Sequence, residues 1–221
     1  QFPALEELQL QGLGEPMMHP RFFDMVEHAV GRGIKVGTNT NATFLNASRA
    51  ERCVTSGLGE IHLSIDGATA ETYERIRVRA RFDRVVSNVE GLIAARRRLD
   101  SPSPRVRMVV VAMRENLREF PDLVRLAHRL AIDTVFVQHL CHDFGESSLP
   151  AHYRPMRDFV DAETLTSLDP EEVDRHFDEA RRLAAELGVD LRLPRTRPRP
   201  HPPGTPGPQR CNWPWRGAYV S

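Results

Sequence analysis

Four short groups of polar residues in this chain have the composition of a ligand-binding site. In Gly12-Leu13-Gly14-Glu15-Pro16, two glycines leave the backbone open to close approach, Glu15 supplies a carboxylate and Pro16 makes the exit of the chain rigid. Such a combination is typical of a site for a small polar molecule. The other three groups are Thr38-Asn39-Thr40-Asn41-Ala42, Ser64-Ile65-Asp66-Gly67 and Arg114-Glu115-Asn116.

Each group lies at the end of a predicted β-strand, and amphipathic helical stretches separate the strands. This alternation predicts an α/β fold with a parallel sheet. Because the carboxyl ends of parallel strands lie at one edge of a sheet, the four groups are expected to converge on one pocket. The predicted strands are Glu7 to Gln11, Lys35 to Thr38, Glu60 to Ile65, Val106 to Ala112, Thr134 to Gln138 and Asp190 to Leu193.

Taken singly, these groups also have purely structural interpretations. The first is compatible with a tight turn, the Thr-Asn repeat with a loop held by Asx hydrogen bonds, and Ser-Ile-Asp-Gly with a strand exit and a helix cap. Two further side chains are expected to be structural. Cys53 is expected in the core, and His62, which alternates with Leu63, is expected to pack against a helix.

The charge and cysteine content restrict the class of partner and the compartment. The 221 residues contain 30 basic and 30 acidic side chains. This balance gives no overall field that would attract nucleic acid or an anionic membrane, and no apolar run is long enough to span a bilayer. Three scattered cysteines and the lack of a signal peptide favour a reducing, cytoplasmic location. We therefore expect small or local partners, with no nucleic acid and no membrane.

Composition divides the chain into three segments. Residues 1–193 carry the alternating strands and helices, residues 194–210 form a proline-rich linker, and residues 211–221 begin a further domain. The chain starts without a methionine and stops within an apolar alternation, so we expect it to be a fragment of a longer protein.

A stretch without clean periodicity, residues 140–168, is expected to form a long loop over the strand ends. Long loops at that edge of a barrel contact substrate in many enzymes. We therefore expect His139, His142 and Asp143 to bind substrate.

The order and spacing of these groups resemble the radical S-adenosylmethionine (radical SAM) superfamily, and the tail resembles its SPASM subgroup. In that family a Gly-x-Gly-Glu-Pro segment follows the second strand, so the resemblance implies a partial (β/α)6 TIM-like barrel whose first strand is missing. Thr40 to Leu45 is similar to the family's Thr-Asn-Gly-Thr-Leu-Leu, with Ala42 in place of glycine. Leu63 to Gly67 is similar to its Ser-Ile/Leu-Asp-Gly segment, and Tyr73 to Val85 to a segment that carries an arginine.

The resemblance implies an enzyme that reductively cleaves S-adenosylmethionine to a 5′-deoxyadenosyl radical, which abstracts hydrogen from a substrate. A peptide or protein substrate is expected first and a small molecule second, with a ferredoxin or flavodoxin as electron donor. S-adenosylmethionine carries an ammonium group, a carboxylate and a ribose, which match a carboxylate, a guanidinium and hydroxyl or amide groups. The cofactor-binding residues that the resemblance implies are Gly12, Gly14, Glu15, Pro16, Thr40, Asn41, Ser64, Asp66 and Arg77.

The family binds its 4Fe-4S cluster through Cys-x-x-x-Cys-x-x-Cys, and this sequence contains no such motif. Those ligands are therefore expected upstream of residue 1. Cys211-Asn212-Trp213-Pro214-Trp215 resembles the start of a SPASM domain, in which Cys211 would be the first ligand of an auxiliary 4Fe-4S cluster whose other ligands lie outside the chain. On this interpretation the fragment alone is inactive.

Two other functions remain open on the sequence. A metal-dependent hydrolase or lyase on a TIM-like barrel would use His62, Asp66, His139 and His142, and it predicts zinc or manganese bound by these residues. A degenerate barrel without catalytic activity would serve as a peptide-binding scaffold.

Overall fold

A single six-stranded parallel sheet organises the residues that the computed structural model describes, which are 5–12, 14–140 and 151–197. Its strands lie side by side in chain order, and every neighbouring pair is parallel. The predicted sheet and its six strands are therefore confirmed. The strands are β1 (Glu7–Gln9), β2 (Lys35–Thr40), β3 (Glu60–Ser64), β4 (Arg105–Ala112), β5 (Thr134–His139) and β6 (Asp190–Arg192).

Helices connect consecutive strands and return the chain to the same edge of the sheet. They are α1 (Phe22–Val30), α2 (Ala47–Thr55), α3 (Ala70–Ile76), α4 (Phe82–Arg98), α5 (Phe120–Arg129), α6 (Arg154–Glu163) and α7 (Pro170–Leu187). Short 3₁₀ turns lie at Pro16–Met18, Leu117–Glu119, Ala151–Tyr153 and Leu165–Ser167. None of the helices in the described ranges combines the length and apolarity needed to cross a membrane.

The two faces of the sheet have different environments. Along β4, Val106, Met108 and Val110 are buried, whereas Arg107 and Val109 are partly exposed. The buried strand residues join those of the helices in one hydrophobic core, so the helices cover this face. We call the opposite face the open face; its residues are Glu7, Gln9, Lys35, Gly37, Asn39, Glu60, His62, Ser64, Arg105, Arg107, Val109, Val111, Thr134, Phe136, Gln138, Asp190 and Arg192.

The region 140–168 contains more regular structure than expected. The sequence pattern predicted one long loop, and this prediction was wrong for the part that forms α6. Val160 is the buried residue of this helix, while Met156 and Phe159 are exposed. Because α6 buries so little, it lacks the apolar stripe by which a helix is recognised in a sequence. Residues 141–150, 198–210 of the predicted linker and 211–221 of the predicted further domain lie outside the described residues.

Gly67 allows α3 to pack closely against the end of β3. A Cβ atom at this position would lie 2.6 Å from the backbone nitrogen of Tyr73 and 2.9 Å from its Cα, and backbone atoms cannot rotate away. In contrast, a Cβ atom on Gly91 in α4 would meet no heavy atom within 4 Å. Close packing therefore requires glycine at position 67, whereas packing does not require it at position 91.

Replacing Gly67→Ala is expected to lower the free energy of unfolding by about 1–3 kcal/mol, because the added methyl group overpacks the junction. The control Gly91→Ala is expected to raise it by about 0.5–1 kcal/mol, since alanine is the better helix former. Chemical denaturation measures both values. Shifts of the same sign and size in the two variants would contradict the close approach at Gly67.

Candidate functional site

The polar groups predicted from the sequence lie at the carboxyl ends of β1, β2 and β3. Glu15 follows β1 and caps the 3₁₀ turn Pro16–Met18. Thr40 is the last residue of β2, and Ser64 is the last residue of β3. Since these strands are parallel and adjacent, the three residues lie along one edge of the sheet.

The Glu15 carboxylate is held by three hydrogen bonds. Its Oε1 accepts from the Thr40 hydroxyl at 2.7 Å and from the Met17 amide at 3.2 Å, and its Oε2 accepts from the Asn41 amide at 2.8 Å. These bonds join the loop after β1 to the end of β2. A carboxylate offers about four lone-pair directions, so room is left for one further donor. Glu15, Thr40 and Asn41 therefore form one cluster, as their spacing along a parallel sheet predicted.

The turn after β2 has a left-handed residue at its centre. Ala42 has φ = 59° and is fully buried, and its carbonyl accepts a hydrogen bond of 2.8 Å from the Asn88 side chain. The left-handed region favours glycine, which is the residue that the family resemblance places here. Asn41 Oδ1 accepts bonds from the amide and hydroxyl of Thr43, while the Asn41 amino group makes no bond within the described residues.

A second cluster forms around Asp66, two residues beyond β3. Its Oδ2 accepts from Arg77 Nε at 2.7 Å and lies 2.6 Å from Arg77 Nη2, and its Oδ1 accepts from the Val111 amide at 2.7 Å. Asp66 is 2% exposed, and the Arg77 side chain is 29% exposed. Both atoms of the carboxylate are thus occupied from within the protein. Asp66 is placed to orient Arg77, whose Nη1 has no partner among the described residues.

Asn116 fixes the backbone beneath this ion pair. It is fully buried, its amino group donates to the carbonyls of Asp66 and Val111 at 2.8 Å each, and its Oδ1 accepts from the Met113 amide at 2.9 Å. Because a buried amide with all these partners has one favourable position, it locks the ends of β3 and β4 together. The predicted group Arg114-Glu115-Asn116 therefore contributes a structural residue to the site.

The glycines after β1 leave space rather than fill it. A Cβ atom on Gly12 or on Gly14 would meet no heavy atom within 4 Å, so packing within the described residues does not require glycine at either position. Ser64 lies on the open face, is partly exposed and makes no side-chain hydrogen bond within the same residues. Both observations agree with a surface kept free for a ligand. Leu13 lies outside the described residues.

A cavity of about 640 Å³ lies at the opposite edge of the sheet. Its lining includes Arg105, Thr134 and Asp190, the first residues of β4, β5 and β6. It is therefore separate from the clusters of Glu15 and Asp66, which lie at the strand ends.

The residues expected to bind substrate or metal are only partly described. His139 ends β5, and its Nε2 lies 2.7 Å from the carbonyl oxygen of Arg195. His142, Asp143 and Cys211 lie outside the described residues. The structure shows no group of three or more His, Cys, Asp or Glu side chains suited to a metal within the part it describes. The described residues therefore do not form the zinc or manganese site of the hydrolase interpretation.

Cys53 is confirmed as a core residue. It is fully buried, and burial raises the pKa of its thiol to about 12. Metal ligation by cysteine requires the thiolate, which this environment strongly disfavours. Cys53 is therefore unsuited to bind an iron-sulfur cluster.

A row of polar side chains in contact on the open face was not expected from the sequence. Asn39 Oδ1 accepts a hydrogen bond from Gln9 Nε2 at 3.1 Å and lies 2.9 Å from His62 Nδ1. His62 Nε2 lies 3.4 Å from Glu60 Oε2, and Glu60 Oε1 accepts from Arg107 at 3.1 Å. The prediction that His62 packs against a helix was wrong. The sequence did contain a signal for the correct direction. Neighbouring residues of a strand point to opposite faces of the sheet, and Leu63 is fully buried on the helix-covered face, so His62 lies on the open face.

His62 and Glu60, the two titratable groups at the centre of this row of side chains, have shifted pKa values. Burial lowers the pKa of His62; nearby Glu60 offsets part of this effect, and the charge of Arg107 adds to it. Burial alone would raise the pKa of Glu60, but a hydrogen bond from Arg105 and the charges of Arg107 and Arg105 outweigh it, so the pKa lies below its ordinary value. His62 is therefore neutral and Glu60 ionised near neutral pH.

Sequence comparison identifies the family. A profile of the radical SAM superfamily matches residues 9–137. The tungsten-containing aldehyde ferredoxin oxidoreductase cofactor-modifying protein of Pyrococcus furiosus is 28% identical over 141 residues, which cover 63% of this chain and 39% of that protein. Mycofactocin maturase MftC of Mycobacterium ulcerans is 31% identical over 118 residues, covering 53% and 30%. The chain thus spans less than half the length of these relatives.

Comparison with solved structures confirms the fold. SuiB of Streptococcus suis bound to its precursor peptide SuiA aligns with a TM-score of 0.60 at 14% identity, covering 84% of this chain and 37% of SuiB. The structure of SuiB bound to S-adenosylmethionine gives a TM-score of 0.59 at 15% identity, covering 84% and 38%. The partial TIM-like barrel expected from the sequence is therefore the fold that these proteins share.

The lowered pKa of His62 predicts a pH dependence of stability. Below its ordinary pKa of about 6.5, the unfolded chain binds a proton that the folded protein resists, so stability falls as pH decreases from about 7 to 5. His62→Gln is expected to reduce this slope in chemical denaturation, whereas His128→Gln, at an exposed position of α5, serves as the control. An unchanged slope in His62→Gln would show that other groups cause the dependence.

The lowered pKa of Glu60 affects stability at lower pH than His62 does. The ionised carboxylate of Glu60 stabilises the folded protein, and this contribution is lost only as pH falls through the folded pKa of Glu60.

Proposed function

Because the chain belongs to the radical SAM superfamily, we propose that its strand-end residues bind S-adenosylmethionine in an enzyme that modifies a peptide substrate. The observation that carries this proposal is the Glu15 carboxylate, held by Thr40, Met17 and Asn41 with one direction free for a further donor. A fixed carboxylate at a strand end is suited to an ammonium group. The ammonium of S-adenosylmethionine is the family's ligand that meets this requirement.

The other described groups complement the rest of that cofactor. Arg77 is oriented by Asp66 and keeps Nη1 available, so it is suited to bind the carboxylate of the methionine moiety. The Asn41 amino group, which has no partner among the described residues, and the partly exposed hydroxyl of Ser64 are suited to the ribose hydroxyls. Gly12 and Gly14 leave the adjoining surface clear.

These residues bind and orient the cofactor rather than perform the bond cleavage. In this family the cofactor, once bound and reduced, supplies a carbon-centred radical that abstracts hydrogen from the substrate. The described residues do not form a site for the 4Fe-4S cluster that supplies the electron, since Cys53 is buried and no metal-ligating group is found among them. On this proposal the described residues contribute by holding the cofactor at the edge of the sheet.

The proposal extends to the substrate and partners. MftC is named a maturase, and SuiB was solved with a precursor peptide, which supports a peptide or protein as substrate here. A ferredoxin or flavodoxin as electron donor and a cytoplasmic location belong to the same proposal. Auxiliary 4Fe-4S clusters, with Cys211 as a ligand, are included on the resemblance to SPASM proteins.

Glu15→Gln in the full-length protein tests the ammonium contact. Removing the charge is expected to weaken binding of S-adenosylmethionine by about ten- to hundredfold, the usual value of a hydrogen bond to a charged group. Binding of 5′-methylthioadenosine, which lacks the amino acid part, should be unchanged. Isothermal titration calorimetry measures both, with Glu27→Gln on α1 as the control. Equal loss for the two ligands would mean that Glu15 only maintains the local fold.

Arg77→Lys tests the carboxylate contact in the same way, because lysine keeps a positive charge beside the buried Asp66 but loses the second arm of the guanidinium. The variant is expected to bind S-adenosylmethionine about tenfold or more weakly and to bind decarboxylated S-adenosylmethionine as the wild type does, because only the first ligand has the group that Arg77 recognises. Arg125→Lys, at an arginine that pairs with Asp122 on the surface of α5, is the matched control. If the variant does not distinguish the two ligands, Arg77 has no role in reading the carboxylate.

A further inference from the structure

The open face carries one apolar area among its polar side chains. Val109 and Val111 on β4 and Phe136 on β5 lie on this face, and Phe136 is 43% exposed. Large apolar side chains clustered on an uncovered surface mark a contact with another molecule or segment. The neighbouring positions nearer the strand beginnings are polar, including His62, Arg107 and Thr134, so the apolar area has a limit on that side.

The strand register connects this area to the candidate cofactor site. Ser64 pairs with Val109, and Val109 pairs with Phe136, so the three side chains form one row across β3, β4 and β5. At about 4.8 Å for each strand, Phe136 lies roughly 10 Å from Ser64. A molecule that reacts with a cofactor held near Ser64 would therefore rest on Val109 and Phe136.

The rim of the area shows what kind of molecule fits. Gln138 follows Phe136 on the same face and is exposed, and it pairs in register with Val111. Arg192 on β6 pairs with Phe136, but its guanidinium is already bound to Asp190 at 2.7 Å. An apolar surface beside an amide side chain suits an apolar side chain attached to a peptide backbone. The side chains of Val109, Val111 and Phe136 themselves offer no hydrogen bond to a charged or sugar-like group.

We propose that Phe136, with Val109 and Val111, determines specificity by binding an apolar side chain of the peptide substrate next to the reacting position. This inference rests on the proposed function, which places the cofactor at Ser64 and takes a peptide as substrate. Phe136 is then a binding residue that selects aromatic or aliphatic side chains and disfavours polar ones.

The test uses the full-length protein and four capped pentapeptides, Gly-Gly-Xaa-Gly-Gly with Phe, Leu, Ser or Asp at the centre. Saturation-transfer difference NMR reports binding without a functioning cofactor. The Phe and Leu peptides are expected to receive saturation at their ring and methyl protons, and Phe136→Ser is expected to reduce these signals about fivefold or more. Phe136→Leu should retain them, because it keeps an apolar side chain.

Phe159→Ser is the matched control, since Phe159 on α6 is the same residue type and is 44% exposed. The inference is overturned if the four peptides bind alike, if none binds the wild type, or if Phe136→Ser and Phe159→Ser behave identically. A change of oligomeric state in Phe136→Ser alone, measured by sedimentation, would assign the area to a second copy and overturn it as well. Titration of S-adenosylmethionine into the same samples separates the two proposals. If the peptides bind selectively but S-adenosylmethionine does not bind, the proposed cofactor site is wrong and the assignment of Phe136 as a peptide-binding residue stands.

Discussion

All six strands of the sheet run in one direction, and the position of the candidate site depends on this alignment. Each connecting helix returns the chain to the same starting edge, so every strand delivers its next residues to the opposite edge. Glu15, Asn41 and Asp66 are far apart in sequence, and each follows one of three neighbouring strands, so they lie along that edge. Within the described ranges the helices cover one face of the sheet, and the other face carries mainly polar side chains.

Two carboxylates at that edge have different partners and different roles. Asp66 is almost fully buried, and its charge is balanced by Arg77 and by the Val111 amide, as burial of an ionised group requires. Glu15 is less enclosed, and its donors among the described residues are neutral, namely two amides and a hydroxyl. These donors hydrogen-bond to the negative charge of Glu15 but do not balance it with a positive charge. This difference supports the proposal that Glu15, rather than Asp66, binds the positively charged group of a ligand.

Local sequence patterns predicted all six strands, because apolar residues alternate with polar ones and glycine or proline lies between the segments. The cluster of Glu15, Thr40 and Asn41 followed from the parallel sheet alone. The pairing of Asp66 with Arg77 did not, since no local pattern shows which of several arginines a carboxylate will meet. Periodicity also failed for α6, whose contacts with the core are few, and the direction of His62 was misjudged although Leu63 beside it indicated the opposite face. The roles of His142, Asp143 and Cys211 stay predictions.

The bonds around Glu15 have a thermodynamic consequence for recognition. They connect groups within the protein, so the rotamer of this carboxylate is already ordered before any ligand arrives. Conformational entropy that an unrestrained glutamate would lose during association is lost during folding instead. Binding of a flexible, zwitterionic molecule would then restrict one partner rather than two, which lowers the entropy cost of association.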